Sequence, residues 1–463
     1  MKKKFTFNTL VMIYAVVVLV AVATWIVPGG EYQRETKDGR TLVVPGSFAY
    51  VQNEPQGLGA IFTSPIKGFI QAAHIIVFVF IIGGAFSVVQ KTGAIAVSVR
   101  RLAGTFARKP HLQKFFIPVM MTIFSIGGTV FGMSEETMPF VLIFIPLAIS
   151  LGYDSLVGTA IPFLGAAAGF AGATLNPFTI GVAQGIAELP LYSGLEYRII
   201  IWVISTASMI VFVSLYAARL RKNPSISPVA DIDRERKHAF HLDNAEESLF
   251  TLRHKLVLAF FALTLVALVY GILEFKWFIT EIAGLFLALG IVSGILGGLK
   301  AHEISESFVG GAKDMMGVAL IIGFARALLV VAGDGKVIDT LLYALASLIS
   351  GLHPIVAAQL MFVAQGIINF FVHSGSGQAA LTMPVMAPLA DVIGISRQTA
   401  VLAFQFGEGW INPILPTSGV TMGVLGLAGI PWERWFRWMI PAQVYFFILA
   451  LLLMIPAVLL NYR

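Results

Sequence analysis

Long apolar runs alternate with short polar stretches along the whole chain, beginning with "TLVMIYAVVVLVAVATWIV". Several runs exceed the roughly 18 apolar residues that a helix needs to cross a bilayer. The pattern therefore predicts an all-α polytopic membrane protein, with an interfacial piece at about 336–352. Crossings are predicted at 9–28, 65–90, 197–218, 256–275, 278–298, 306–332 and 438–459.

Two re-entrant hairpins are predicted at 112–151 and 355–393, where a long apolar arm meets a polar tip and then a short apolar arm. The first tip reads "SEET" (134–137) and the second reads "VHSGSGQAA" (372–380). Each return arm has about 14 residues, which is too few for a full crossing. A return within the membrane explains both short arms.

Two further apolar segments are interrupted by polar residues and proline. Segment 155–187 contains "ATLNPFTIG", and segment 396–428 contains "WINPILPTSG". Proline removes a backbone donor and interrupts a helix. Each segment is therefore predicted to be a broken helix with its break at an Asn-Pro pair.

The order of these features repeats along the chain. Shifting the sequence by 242 residues aligns the halves without a gap from Gly68 to Gly394, although identity is low. Each half contains a long helix, a hairpin and a broken helix. The additional crossing at 278–298 places the two units in opposite orientations, which is the arrangement of inverted repeats in secondary transporters.

This reading divides the chain into three regions. Residues 1–222 form a first half with one crossing and the first repeat, and residues 256–463 form a second half with the second repeat. Residues 223–255 are charged and almost free of apolar periodicity, so they are predicted to be a polar cytoplasmic linker.

Composition supports a membrane location. The chain is 57% hydrophobic and 12% charged, and it contains no cysteine. Basic residues cluster at predicted cytoplasmic loops, including the amphipathic stretch 99–114, so the net charge of +6 needs no nucleic-acid partner. We expect a multi-pass protein of the cell (inner) membrane, embedded in the lipid bilayer, with a cytoplasmic N-terminus and an external C-terminus.

The first tip places two adjacent carboxylates, Glu135 and Glu136, between apolar arms. An ordinary surface loop is the alternative, because a charge at bilayer depth costs several kcal/mol unless it is paired or hydrated. The short return arm and the repeat favour the tip. Neighbouring carboxylates repel unless a cation neutralises them, so the tip predicts a proton, Na⁺ or a cationic substrate group.

The second tip offers small residues and neutral hydrogen-bonding groups rather than charge. Consecutive backbone N–H groups before a helix make an anion site, although a flexible Gly/Ser turn is the alternative. The predicted substrate-binding residues of the four interruptions are Ser134, Glu135, Glu136, Thr137, Asn176, Thr179, Ser374, Gly375, Ser376, Gly377, Gln378, Glu408, Asn412 and Thr417. No metal site or cofactor is predicted.

Three other features have structural interpretations. Arg326 is expected to pair with an acid, Asp314 being one candidate, and His74 is expected to be a satisfied core histidine. The stretch "GAAAGFAG" (165–172) is expected to be a helix-packing face of small residues.

The segments "GMSEETMPF", "NFFVHSGSGQAALTMP" and "QFGEGWINPILPTSG" resemble the YfcC-type basic amino acid antiporters. These are close to the C4-dicarboxylate anaerobic carriers within the ion transporter superfamily. The resemblance covers nearly the whole chain and implies a homodimer with a scaffold domain and a mobile transport domain that works as an elevator. Sodium-coupled relatives have Ser-Asn-Thr at the tips, a pattern that this chain lacks.

Secondary exchange of arginine, ornithine or lysine is the favoured function, because acids outnumber bases at the predicted site. A carrier of C4-dicarboxylates or other carboxylates is the alternative, and it requires basic residues there. A membrane-embedded enzyme has no supporting motif such as HExxH, so no enzymatic activity is predicted. A pore is also considered, but paired tips and broken helices fit alternating access at least as well.

Overall fold

The computed structural model describes residues 9–37, 40–44, 46–95, 97–98, 101, 110–176, 178–239, 250–275, 277 and 279–462. The helices before residue 276 are α1 Thr9–Ile26, α2 Leu58–Gln71, α3 Ala73–Lys91, α4 Pro110–Phe131, α5 Thr137–Ser150, α6 Ser155–Gly172, α7 Ile180–Ile186, α8 Leu195–Lys222, α9 Ala230–Ala239 and α10 Leu252–Phe275. The later helices are α11 Ile279–Gly297, α12 Ala301–Asp314, α13 Met316–Asp334, α14 Ile338–Ile349, α15 Pro354–Asn369, α16 Gly375–Ile393, α17 Arg397–Gly409, α18 Gly419–Leu427 and α19 Trp432–Leu459. The short strands are β1 Gly30–Glu31, β2 Arg34–Lys37, β3 Arg40–Val43 and β4 Ala49–Tyr50.

Six of the described helices are long and apolar enough to cross a membrane, namely α3, α4, α6, α8, α11 and α19. Helices α12 and α13 are bent by 44° at the break between them and together make a seventh candidate span. The predicted all-α, multi-pass architecture is confirmed at this level. Most of the predicted basic stretch at 99–114 lies outside the described residues.

The first predicted hairpin corresponds to α4 and α5, which flank residues 132–136. Helix α4 packs closely on α6, because a methyl group on Gly169 would lie 1.9 Å from the Ser125 carbonyl oxygen. In the opposite direction, a methyl group on Gly128 would lie 2.0 Å from the carbonyl oxygen of Ala166. The prediction that 165–172 is a small-residue packing face is confirmed.

The second predicted hairpin corresponds to α15 and α16, and α15 packs against α17 in the same way. A methyl group on Gly407 would lie 2.8 Å from the backbone nitrogen of Gly366. Gly407 stands 242 residues after Gly165, which faces Met121 of α4. Glycines separated by the 242-residue shift therefore lie at close helix contacts in both halves of the chain.

The contacts between other helices are also reciprocal. Helix α2 packs on α13, with Gly68 against the carbonyl oxygen of Gly323, while α3 packs on α12, with Gly83 against Gly311. Helix α7 packs on α16, and α18 packs on α5. In each case a helix contacts a helix of the other half. The 242-residue shift aligns that partner helix with a neighbour of the first helix.

Two predicted crossings are interrupted. The single helices expected at 65–90 and 306–332 are broken at Ala72 and Met315 respectively. Neither position is glycine or proline, so neither break carries the usual local signal. His74, just after the first break, is exposed, and its assignment as a core histidine was wrong.

The segment between α1 and α2 contains two antiparallel strand pairs, β1 with β4 and β2 with β3. Asp339 of α14 holds this segment by accepting from the Tyr32 backbone nitrogen at 2.9 Å and from Arg34 at 2.8 Å. Lys336 forms ion pairs with Glu31 and Glu54. The segment is therefore fastened to the turn before α14 and to that helix.

The beginning of the linker is docked on the helices, which corrects its interpretation as a simple polar connector. Asp233 of α9 is 5% exposed and accepts a hydrogen bond from the Ser155 backbone nitrogen at 2.8 Å. Its partner Arg236, at 3.4 Å, donates to the carbonyl oxygen of Ala428 after α18. Helix α9 thus joins the start of α6 to the end of α18. This docking was not predictable from the sequence pattern, because one buried carboxylate gives no periodicity. Residues 240–249 lie outside the described residues.

Asp233→Ala is expected to lower the apparent melting temperature of the detergent-solubilised protein by several degrees. Removing a buried hydrogen-bonded partner costs about 1–3 kcal/mol, and the Ser155 N–H and Arg236 both lose their acceptor. Asp231→Ala is the matched control, because its side chain is 64% exposed where it pairs with Arg434. Hydrogen bonding from Arg434 lowers the Asp231 pKa to about 2, yet such surface pairs contribute about 1 kcal/mol or less. Equal shifts in the two variants would refute docking through Asp233.

Candidate functional site

A cavity of about 310 Å³ lies where the two hairpin tips meet the two broken helices. Helices α6 and α13, the break between α2 and α3, Ile75 of α3 and Ile279 of α11 contribute further walls. The residues predicted from the sequence that line it are Ser134, Glu135, Glu136, Thr137, Thr179, Ser374, Gly375, Ser376, Glu408, Asn412 and Thr417. All four interruptions therefore reach one common space.

The turn of the first tip is stabilised by Glu136, one of the acidic residues of that tip. Gly132 has φ +72°, a left-handed conformation that glycine adopts readily, and it turns the chain out of α4. Glu136 is 7% exposed and accepts a hydrogen bond from the Ser134 backbone nitrogen at 2.9 Å. The Thr137 hydroxyl donates to the Ser134 carbonyl oxygen at 2.6 Å. Glu136 thus helps to form the turn as well as lining the cavity.

The second tip contacts both broken helices. Ser374 caps α16 by accepting from the Gly377 backbone nitrogen at 3.3 Å. A methyl group on Gly375 would lie 2.6 Å from Thr179 Cγ2 and 3.6 Å from Glu408 Oε1. The absence of a side chain at Gly375 therefore lets the tip reach the first break and the acid of the second.

His373 joins the second tip to the second break. Its Nε2 lies 2.5 Å from the hydroxyl oxygen of Thr417, and both residues line the cavity. Because Thr417 and Ser418 precede α18, this contact fixes the tip beside the start of that helix. Ser418 caps α18 by accepting from the Thr421 backbone nitrogen at 3.3 Å.

Glu408 is the most enclosed acid of the cavity, with 2% exposure. Its Oε1 accepts from Asn412 Nδ2 at 2.8 Å, and Asn369 Nδ2 donates to Asn412 Oδ1 at 3.1 Å. Glu408 Oε2 and the buried Thr179 hydroxyl lack a hydrogen-bond partner within the described part of the chain. Because buried polar atoms are nearly always hydrogen-bonded, these two point to a ligand.

Three predicted residues have other surroundings: Asn176, Gly377 and Gln378 are not among the described residues that line the cavity. Asn176 Oδ1 accepts from the backbone nitrogens of Phe178 and Thr179 at 2.9 and 3.3 Å, and so supports the turn before α7. Gln378 Nε2 donates to Gln365 Oε1 at 2.8 Å. These side chains hold the break and the tip in shape.

Arg326 of α13 also lines the cavity, and the sequence analysis had assigned it a structural ion pair. Its Nε donates to Gln71 Oε1 at 3.1 Å, and the described residues contain no ion pair between Arg326 and Asp314. The expected pairing was wrong because α2, distant in sequence, supplies the partner. The available signal was the rule that a charge within a membrane helix marks a functional site by default.

The cavity therefore contains carboxylates from two elements and a guanidinium from a third. Glu135 and Glu136 come from the first tip, Glu408 from the end of α17 and Arg326 from α13. None of the ion pairs found among the described residues includes any of these four. Aromatic residues supply part of the remaining wall: Phe163, Phe170, Phe178 and Phe371.

Comparison with known proteins shows the family to which nearly the whole chain belongs. Residues 7–459 match the family described as "DcuC: C4-dicarboxylate anaerobic carrier". The "Putative basic amino acid antiporter YfcC" of Escherichia coli (strain K12) is 38% identical over 497 residues, covering 98% of this chain and 97% of that protein. An "Uncharacterized protein" of Haemophilus influenzae is 29% identical over 492 residues, covering 95% of each. The resemblance predicted from the tip motifs is confirmed.

Two solved transporters align with most of the chain at low sequence identity. The Alcanivorax borkumensis YdaH transporter is 17% identical with a TM-score of 0.41, and the alignment covers 97% of this chain and 98% of that one. Neisseria gonorrhoeae MtrF is 18% identical with a TM-score of 0.43, and the alignment covers 98% and 96%. From its match over residues 7–459 and its apolar helices, the chain is a multi-pass membrane transporter that belongs to the C4-dicarboxylate anaerobic carrier family.

Proposed function

We propose that this transporter exchanges basic amino acids such as arginine, ornithine and lysine across the cytoplasmic membrane. The observation that carries the proposal is the ionisable lining of the cavity, which contains three acidic side chains, one arginine and one histidine. Glu136 and Glu408 are 7% and 2% exposed. An uncompensated buried charge is costly, so a cationic ligand satisfies this site better than an anionic one. The printed name of the 38% identical relative agrees.

Transport of a dicarboxylate is the second candidate, and two observations favour it. The family description names C4-dicarboxylates, and Arg326 supplies one cation to the cavity. However, two carboxylates of a substrate would meet only one guanidinium and three acids. A basic amino acid carries one carboxylate and two cationic groups, which corresponds more closely to the charges of the site.

We further propose alternating access by an elevator movement of inverted repeats in a homodimer. Most helix contacts fall within the group α1–α3 and α10–α13 or within the group α4–α8 and α15–α19, and the largest contact between the two groups joins α13 to α18. Ile75 and Arg326 of the first group and the tips and breaks of the second line the same cavity. A cavity at the boundary between two groups of helices, together with the reciprocal contacts, supports movement of one group against the other. The proposed regions remain 1–222, 223–255 and 256–463, with the N-terminus inside and the C-terminus outside.

Counterflow into proteoliposomes tests the substrate. Vesicles preloaded with unlabelled lysine are expected to accumulate labelled arginine or lysine, at least tenfold above protein-free vesicles, because exchange of like charges needs no other driving force. Vesicles preloaded with succinate and given labelled succinate provide the comparison. Succinate counterflow without lysine counterflow would refute the basic amino acid proposal and favour the carboxylate carrier.

A further inference from the structure

We propose that Arg326 binds the α-carboxylate of the transported molecule and thereby selects amino acids over amines that lack a carboxylate. This inference rests on the proposed function and adds an orientation to it. The carboxylate end of the substrate contacts α13, and its cationic end contacts Glu135, Glu136 and Glu408. Gln71 of α2 acts as the positioning residue for the guanidinium.

Close packing of two helices places the guanidinium. A methyl group on Gly68 would lie 2.4 Å from the carbonyl oxygen of Gly323, so α2 and α13 touch through their backbones. Gln71 follows Gly68 by three residues, and Arg326 follows Gly323 by three residues. Residues three apart share a helix face, and the contact of Gln71 Oε1 with Arg326 Nε at 3.1 Å follows from this crossing.

The hydrogen bond to Gln71 uses only one edge of the guanidinium. Within the described residues, the two terminal nitrogens of Arg326 have neither a hydrogen bond nor an ion-pair partner, and the residue lines the cavity. A guanidinium presents donors in a rigid fork that matches a carboxylate by two parallel hydrogen bonds. The hydrogen bond at Nε fixes the plane of the guanidinium. Less side-chain conformational entropy is then lost when a ligand binds.

The surroundings favour an anion at this place. Ile322 lies one turn before Arg326 on the same face of α13, and a methyl group on Gly419 would lie 3.8 Å from Ile322 Cγ2. Gly419 is the first residue of α18, so Arg326 belongs to the part of the cavity near that helix start. Backbone N–H groups at a helix start favour negative charge. The carboxylates of the cavity come from other elements, the first tip and α17.

Binding of lysine and of cadaverine, its decarboxylated form, separates the two ends of the substrate. Arg326→Gln in the purified full-length protein is expected to weaken lysine binding ten- to a hundredfold by isothermal titration, while cadaverine affinity changes less than twofold. Arg326→Lys keeps the charge but loses the fork, so an intermediate loss for lysine is expected. Gln71→Ala should weaken lysine alone, by a smaller factor.

Lys313→Gln is the matched control, because Lys313 is an exposed cation outside the cavity lining of the described residues; both affinities should stay at the wild-type value. Equal losses for lysine and cadaverine in Arg326→Gln, or no loss for lysine, would overturn the assignment of Arg326. Wild-type protein that binds succinate but not lysine would instead refute the proposed function. In that case Arg326→Gln is expected to weaken succinate binding at least tenfold. A smaller effect would also refute the assignment of Arg326 as the carboxylate-binding residue. Wild-type protein that binds none of the three ligands would count against both.

Discussion

Glu408→Gln is expected to lower the affinity for lysine and arginine by more than tenfold while the protein remains folded. Glu408 is 2% exposed, and its Oε2 has no hydrogen-bond partner among the described residues. Removing one partner of a desolvated charge pair costs about 2–5 kcal/mol, which is well over tenfold in affinity. The amide oxygen of glutamine can still accept from Asn412, so the break between α17 and α18 should keep its shape.

The same substitution at the first tip extends the test. Glu135→Gln and Glu136→Gln are each expected to reduce exchange of basic amino acids. In Glu136→Gln the amide oxygen can still accept from the Ser134 backbone nitrogen, so the turn of the first tip should keep its shape. Glu306→Gln provides the control, since Glu306 is an exposed acid of α12 away from the cavity.

Substrate titrations and exchange assays on the same preparations distinguish binding from other roles. Undiminished lysine exchange in all three cavity variants would exclude the carboxylates as the cation site. A proton-carrying role has a different signature, because exchange would then survive while uptake driven by a pH gradient disappears. A purely structural role would appear as a lowered melting temperature with unchanged affinity.

Gly169→Val is expected to produce a larger loss of stability than substitution of the other glycines that lie at close helix contacts. Even a single methyl group on Gly169 would lie 1.9 Å from the Ser125 carbonyl oxygen. Overpacking costs typically 1–3 kcal/mol, and here the obstacle is backbone, which cannot escape by changing rotamer. Helices α4 and α6 must separate, so we expect a loss of about 3 kcal/mol or more. We also expect distortion of the cavity, which is lined by α6 and by the tip that follows α4.

The measurement is thermal unfolding in detergent together with substrate binding. Gly310→Ala is the matched control, because a methyl group there meets nothing within 4 Å. Replacing glycine by alanine in a helix is ordinarily stabilising by about 0.5–1 kcal/mol. A Gly169→Val protein that unfolds at the wild-type temperature would show that α4 and α6 do not pack as described.

The positions of the hairpins and breaks were predictable from the sequence alone. Arms expected at 112–132 and 138–151 occur as α4 and α5, at Pro110–Phe131 and Thr137–Ser150. The physical reason is the hydrocarbon environment of the bilayer. A backbone in lipid must satisfy its own hydrogen bonds, so a polar interruption of an apolar run is tolerated only where it lines a cavity or is buried in protein. Residues of all four interruptions were accordingly predicted to bind the substrate.

The family resemblance was equally accessible, because it depends on the residues of the tips and the second break. The match over 7–459 and the 38% identical relative confirm it. The breaks at Ala72 and Met315 were not predicted, since neither position is itself glycine or proline, although polar residues flank both of them: Gln71 and His74 at the first, and Lys313 and Asp314 at the second. Bending there is decided by how α2, α3, α12 and α13 pack on one another.

Side-chain roles needed the tertiary structure. The sequence supplied the acids of the cavity, but it could not show that Gln71 rather than Asp314 would reach Arg326. That choice depends on the crossing at Gly68 and Gly323, 255 residues apart. The docking of Asp233 onto Ser155 is decided in the same way. Apolar patterning therefore determined which segments enter the membrane, whereas close backbone approach between distant helices determined which polar atoms meet.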